Sequence, residues 1–345
     1  MTTHPFPDPD QPPPRYDAAG PALAARIAGH PDAERLGRHA ASPVEMPWLG
    51  WKAVLRRVGM KMVTDRVALV AAGCAFYATL ALFPALTMLI FLYGLMFDPA
   101  TVEPQLASLR EVLPPVVYTL ISQRIHMLVS QPNTTLGWGL VLSTGVTLWS
   151  AVTGTKGIIA ALNVAYEEVE RRSILRYQVE TFLITFSAML GVVLGLLVLL
   201  GTPAVLAFLE SSAPQQTLIQ AASVGVLVLF LMVGLSFLYR YGPCRRQARW
   251  RWVTPGSLVA SVLWLVASVL FSLYVTRIAH YDTTYGPLAA VAGVMMWFWV
   301  TIYVVLLGAE LNAELEMQTV LDSTEGPPKP IGKRGAYVAD HVAEE

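Results

Sequence analysis

Six stretches of this chain run for 20 to 31 residues without a single charged side chain: 67–97, 136–155, 181–209, 217–239, 252–276 and 283–309. A water-soluble helix of that length needs a polar face, whereas a helix crossing a bilayer needs about 20 apolar residues in succession. Composition agrees: 54% of residues are apolar, 14% are charged and the mean hydropathy is +0.52. An ordinary soluble domain carries about 25% charged residues. None of the six runs alternates polar and apolar residues over the roughly ten positions of a transmembrane strand. The prediction is an all-α, polytopic membrane protein with six transmembrane helices. Trp138, Trp250 and Trp252 lie near run ends, where indole rings favour the interface.

Charge placement orients these spans. Nine Lys and Arg residues precede the first run, successive loops hold two, four, none, five and one, and three follow the last. Alternate sides collect 21 against three, so the positive-inside rule places both termini in the cytoplasm. The 24 basic and 24 acidic residues balance, so no bulk field draws nucleic acid. Cys74, inside an apolar run, and Cys244, in a basic loop, make no disulfide framework.

Residues 1–47 hold ten of the 24 prolines and read as a disordered, Pro-rich cytoplasmic tail without the apolar h-region of a signal peptide. Residues 48–66 read as a basic amphipathic interfacial helix. Trp51, Val54, Leu55, Val58 and Met62 recur there at helical spacing, beside Lys52, Arg56, Arg57, Lys61 and Arg66. The membrane domain covers 67–316. It includes a periplasmic cap of two short helices at 98–135, divided at Pro114 and Pro115, and 317–345 read as a second disordered cytoplasmic tail. Small-residue spacings at Ser187, Gly191 and Gly195, at Ser257 and Ser261, and at Ala260 and Ala267 predict helix-on-helix packing.

Ala71-Ala72-Gly73-Cys74-Ala75-Phe76-Tyr77, running into Ala81-Leu82-Phe83-Pro84, resembles the first-span signature of the YihY/BrkB family of bacterial inner-membrane proteins. The resemblance continues at Leu162-Asn163, Tyr166 and Glu170-Arg171-Arg172-Ser173. It returns at Tyr281-Asp282-Thr283-Thr284-Tyr285-Gly286, Trp297 and Gly308-Ala309-Glu310-Leu311-Asn312. Pro287 and Ala289 stand where the family more often has a small polar residue and glycine. The resemblance implies six spans in a bacterial inner (plasma) membrane and links to envelope integrity or virulence. It also carries a historic ribonuclease label attached to some members, and implies no defined reaction.

Residue chemistry gives that label no support. Metal-assisted phosphodiester cleavage needs carboxylates or histidines gathered around divalent ions. The six histidines are scattered, and Glu167-Glu168-Glu170 is followed at once by Arg171-Arg172. Gly154-Thr155-Lys156-Gly157 lacks the frame of a phosphate loop, so Lys156 reads as a snorkelling cation at the inner face. No catalytic residue, metal or cofactor is expected.

Polar groups do stand where a pathway needs them. Pro84 falls near the middle of the first run, where proline removes one backbone bond and clashes with the carbonyl of Leu80. Unwound backbone at mid-depth is how transporters build binding sites. Tyr77 and Thr79 precede that point, and Tyr281, Asp282 and Tyr285 stand at the external mouth of the sixth span. A packing kink at Pro84 and a helix cap at Asp282 are the plain alternatives. At the inner end Glu310, Asn312 and Glu314 follow 27 uncharged residues, within reach of Asn163, Lys156, Arg171 and Arg172 as a gate or a structural ion pair. Offset by 149, six residues around span two match span six; chance is the leading explanation in so apolar a stretch, although a parallel repeat is topologically allowed. No ionisable residue lies deep in a span, which argues against an ion-coupled pump. The expectation is a translocator of a small or lipid-like envelope solute, with a non-transporting scaffold as the alternative. Expected partners are membrane lipid, that solute and a second copy of the chain, with no nucleic acid.

Overall fold

The computed structural model describes residues 19–96, 133–208, 213–277 and 287–343. Residues 98–132 of the expected periplasmic cap, and Tyr281, Asp282 and Tyr285, lie outside the described residues, while 133–135 of that cap belong to a long helix. What is described is helical, with no strand beyond one isolated bridge between Ala248 and Thr324.

The helices are α1 (Ala19–Ala28), α2 (Trp48–Thr64), α3 (Val67–Met96), α4 (Asn133–Ala165), α5 (Ile174–Phe208), α6 (Ala213–Tyr241), α7 (Trp250–Arg277), α8 (Pro287–Gln318) and the short α9 (Tyr337–Asp340). By length and composition, Ala222–Tyr241, Trp250–Tyr274 and Val291–Gln318 are each able to cross a membrane, and the bent pair Trp48–Thr64 with Val67–Leu82 supplies a fourth candidate. The bend between α2 and α3 is 61°. It falls at Asp65 and Arg66, where Arg66 takes a left-handed φ of 51° that stops α2 and starts the next helix in a new direction.

The long helices pack in chain order. α3 lies on α4, α4 on α5, α5 on α6, α6 on α7, α7 on α8, and α8 returns to α3, which closes the series into a ring. α4 also reaches across to α8, and α2 lies along α8. Glycine sets the closest approaches. A Cβ on Gly256 of α7 would stand 2.1 Å from the Gly308 carbonyl oxygen of α8, so these two backbones touch because neither carries a side chain. Gly154 and Gly157, read above as a rejected phosphate loop, instead let α4 meet Tyr77 and Cys74 of α3.

Along α2, Gly50, Val54, Val58 and Met62 recur every four residues and are buried. Of the apolar stripe assigned above to a membrane surface, Val54, Val58 and Met62 therefore face the protein, against α8, with Trp51 packed beside them, while Leu55 is exposed.

Both supposedly disordered tails are packed where they are described. Ala33, Arg38, Ala40 and Met46 are buried on the N-terminal side, and Ser323, Thr324, Arg334, Val338, Ala339 and Asp340 on the C-terminal side. Hydrogen bonding of turns does the ordering, which a count of apolar residues does not register. The Arg334 guanidinium donates to the carbonyls of Ala339 (2.6 Å), Val320 (2.7 Å) and Leu321 (3.2 Å). The Asp340 carboxylate accepts from the N–H groups of Gly332, Arg334 and Gly335. The two segments also meet each other, with Val320 N–H donating to the Arg38 carbonyl (2.8 Å) and the Thr319 hydroxyl to that of Ala40 (2.8 Å).

Candidate functional site

From Ala309 to Thr319 every residue of the chain is buried, although Glu310, Asn312, Glu314, Glu316 and Gln318 are polar. On a helix, residues two apart point about 200° away from each other. Glu310, Glu314 and Gln318 therefore share one face and Asn312 and Glu316 the opposite one, and the end of α8 must find polar partners on both sides. It does.

Toward α7, Asn312 stitches two backbones. Gly256 N–H donates to its Oδ1 (2.7 Å) and its Nδ2 donates to the Val253 carbonyl (3.0 Å). These bonds sit beside Pro255, which lacks an N–H and loosens the first turns of α7. Tyr239 of α6 adds a bond from its hydroxyl to the Val305 carbonyl (2.7 Å). Toward α2, the Arg57 guanidinium reaches Glu314 Oε2 (2.5 Å) and Gln318 Oε1 (2.7 Å), and Gln318 donates onward to the Leu36 carbonyl (2.8 Å). Toward the loop between α6 and α7, Arg245 pairs with Glu316 at 2.7 Å with both side chains at most 1% exposed, and the Ser323 hydroxyl gives Glu316 a second bond (2.6 Å). The Arg245 guanidinium also stands over the Tyr166 ring.

Toward the bend between α2 and α3, Glu310 comes beside Asp65. Both line a small pocket with Val67, Val70, Ala161, Val164, Ala165 and Leu306. Lys61 bonds Glu167 and stands 3.9 Å from Asp65. Burial raises the Asp65 carboxyl above its ordinary value, Lys61 opposes that, and Glu167 adds to it.

The second polar cluster ties α4 to α5. Asn163 donates to Glu170 (3.0 Å) and accepts from the Cys244 N–H (2.7 Å). Arg172 bridges Glu170 (2.5 Å) and Glu180 (2.7 Å) and donates to the Gly242 carbonyl (3.2 Å). Burial works against the Glu170 charge, but the Arg172 side chain and N–H, with Asn163, hold that carboxyl down at about 2. Glu168 faces the opposite situation. Burial pushes it up to about 7, even though it accepts from the Tyr337 N–H (2.7 Å) and feels Arg245 and Arg171.

The expected pairing of Glu310 and Glu314 with Lys156, Arg171 or Arg172 is thereby corrected. Glu314 takes Arg57, Glu310 stands beside Asp65, Arg172 takes Glu170 and Glu180, and the Arg171 N–H donates to the Cys244 sulfur at 3.4 Å. Lys156 is half-buried on α4 and appears in no described ion pair. Arg57, Lys61, Arg245, Glu316 and Gln318 were missed. Arg57 and Lys61 stand four apart, as do Glu310 and Glu314, and those two matched spacings of opposite charge were the available signal.

At membrane depth, Thr79 is buried but donates to the Ala75 carbonyl of its own helix (2.8 Å), and Tyr77 is 38% exposed. Pro84 lies inside the continuous α3, and its side-chain surroundings fall outside the described residues. Hydroxyl pairs link neighbouring helices, Thr185 to Thr155 and Ser236 to Ser257, both at 2.8 Å. Among the described residues no group of three His, Cys, Asp or Glu side chains is placed to hold a metal ion.

The profile of the family described as Virulence factor BrkB matches residues 59–331. Among curated proteins, the chain is 29% identical to the ribonuclease-like protein YfkH of Bacillus subtilis over 73% of this chain and 90% of that one. It is 27% identical to a UPF0761 membrane protein of Albidiferax ferrireducens over 78% of this chain and 64% of the relative. A UPF0761 membrane protein of Pseudoalteromonas translucida is 33% identical over 27% of this chain and 31% of its own length. No solved structure matches. The family match runs from α2 through the whole ring of helices to the enclosed end of α8, so this chain belongs to the BrkB family of membrane proteins.

Proposed function

We propose that the chain crosses a bacterial inner membrane six times with both termini in the cytoplasm, and that it passively moves a small or lipid-like envelope solute between leaflets or across the bilayer. The observation that carries this reading is a contrast along the helix axes. At the inner end the ring is closed by buried polar side chains that bond one another across helices. Along the spans the helices cover one another sparsely: in the most apolar window of Ala222–Tyr241, 11% of the residues are buried. A scaffold gains from helices packed along their whole length, whereas loosely joined helices closed at one end suit a groove that opens and shuts.

Tyr77, Thr79, Pro84, Tyr281, Asp282 and Tyr285 remain the proposed lining. Glu310, Asn312, Glu314, Asn163, Arg172 and Arg57 form the proposed inner closure. The name of YfkH describes that relative as ribonuclease-like; among the described residues of this chain no His, Cys, Asp or Glu side chains are grouped to hold an ion, and an enzyme is not proposed. The test is flux from liposomes holding the purified protein, with panels of labelled phospholipids and small polar solutes. Protein-dependent movement of at least one class is expected, and Arg57→Ala, which loosens the closure, should raise it. A panel that never moves above empty liposomes leaves the scaffold reading in its place.

A further inference from the structure

α2 carries two faces with different fates. Its inward stripe is covered by α8, and two of its cations turn the same way and are paired, Arg57 with Glu314 and Lys61 with Glu167. Lys52 and Arg56 turn outward, are exposed, and make no ion pair among the described residues. On that same outward face Trp48 is 72% exposed and Val63 76%, with Leu49 and Met60 also bare. Water disfavours such large apolar side chains, while a bilayer interface accepts cations and apolar groups on one helix face together. α2 also runs into α3 at a bend of 61°, so a helix that enters the membrane continues directly into one that turns across its surface. The composition recurs at the start of α5, where exposed Ile174 and Leu175 stand beside exposed Arg171 and Arg176.

We propose that the outward face of α2 docks on anionic phospholipid headgroups of the cytoplasmic leaflet, with Lys52 and Arg56 on the phosphates and Trp48, Leu49, Met60 and Val63 at the acyl boundary. The side of the membrane rests on the six-span reading; the lipid class does not. Charge complementarity selects the occupant, since anionic headgroups attract basic segments next to a span. An acidic soluble protein would match the cations but would have to reach a face already joined to a membrane helix.

The test offers the full-length protein in mild detergent equal amounts of phosphatidylglycerol and phosphatidylcholine, and reads bound lipid by native mass spectrometry. Preferential retention of phosphatidylglycerol is expected. Lys52→Gln with Arg56→Gln should weaken it by roughly five-fold for each cation removed, leaving phosphatidylcholine retention unchanged. Lys52→Arg with Arg56→Lys keeps both charges and should keep the preference, as should Lys333→Gln, a neutralisation at an exposed residue of the C-terminal segment. Equal retention of both lipids, an undiminished preference in the Gln pair, or an equal loss in Lys333→Gln each overturns the proposal. Reporter fusions that place α2 outside the cell would overturn the six-span reading while leaving the lipid preference intact, so the two failures are separable.

Discussion

Asn312 shows how much one buried amide carries. It satisfies both the N–H of Gly256 and the carbonyl of Val253, at the point where α7 and α8 come closest. Asn312→Leu keeps the volume, removes both bonds and strands the Gly256 N–H, while the Val253 carbonyl keeps its bond from the Ser257 hydroxyl (2.7 Å); at about 1–3 kcal/mol for the stranded group it should lower the melting temperature in detergent by several degrees. Glu168 gives a pH dependence. Its folded value of about 7 lies above the ordinary 4.5, so the folded protein keeps a proton that the unfolded chain has released. The stability from that proton is complete below about 4.5 and is lost as pH rises through about 7. Melting should therefore fall between pH 5.5 and pH 8, and Glu168→Gln should shrink the difference. Little of this was legible in the sequence. Asn312 stood out as a polar residue after an apolar run, but its partners are backbone groups 56 and 59 positions away, which no side-chain pattern announces.

At the scale of elements, the apolar runs located the long helices because a charge-free stretch of bilayer length has few other uses. The faces of those helices were harder to read. α2 looks amphipathic with its apolar stripe outward or inward alike, and only the matched spacing of Arg57 and Lys61 with Glu310 and Glu314 favours the inward choice. The turns of the two tails escaped entirely, because they are held through backbone atoms, the C-terminal ones by Arg334 and Asp340 and the N-terminal ones by Gln318 and Thr319. The loop between α6 and α7 is joined to α8 by Arg245 and Glu316, a pair almost wholly buried. Removing one member of such a pair strands a charge, at a cost of about 3–5 kcal/mol, whereas replacing both with apolar residues of similar size is often neutral. Arg245→Met or Glu316→Met alone should sharply reduce the melting temperature, and the double replacement should recover most of the loss. A double variant as unstable as the worse single one would mean that Tyr166 and Ser323, not the ion pair, hold the loop.

For the whole molecule, the charge asymmetry of the loops makes a topological statement that reporter fusions can check. Fusions after Ala248 and after Glu345 should read cytoplasmic, and those near Gln123 and Ala213 periplasmic; one reversed site would break the six-span order. The ring closes only because α8 lies against α3 and its buried end engages both ends of the chain. Arg57 and Glu314 are 257 residues apart, and Gln318 and Leu36 are 282 apart. During synthesis the early partners leave the ribosome long before the late ones exist. Until the last helix is inserted, Arg57 and the carbonyl of Leu36 stand without their native contacts, and the membrane helices already made have no shared inner closure. The final helix therefore marks completion: a chain that stops short of it leaves the inward face of α2 uncovered, a state that quality-control proteases can tell apart from the finished protein.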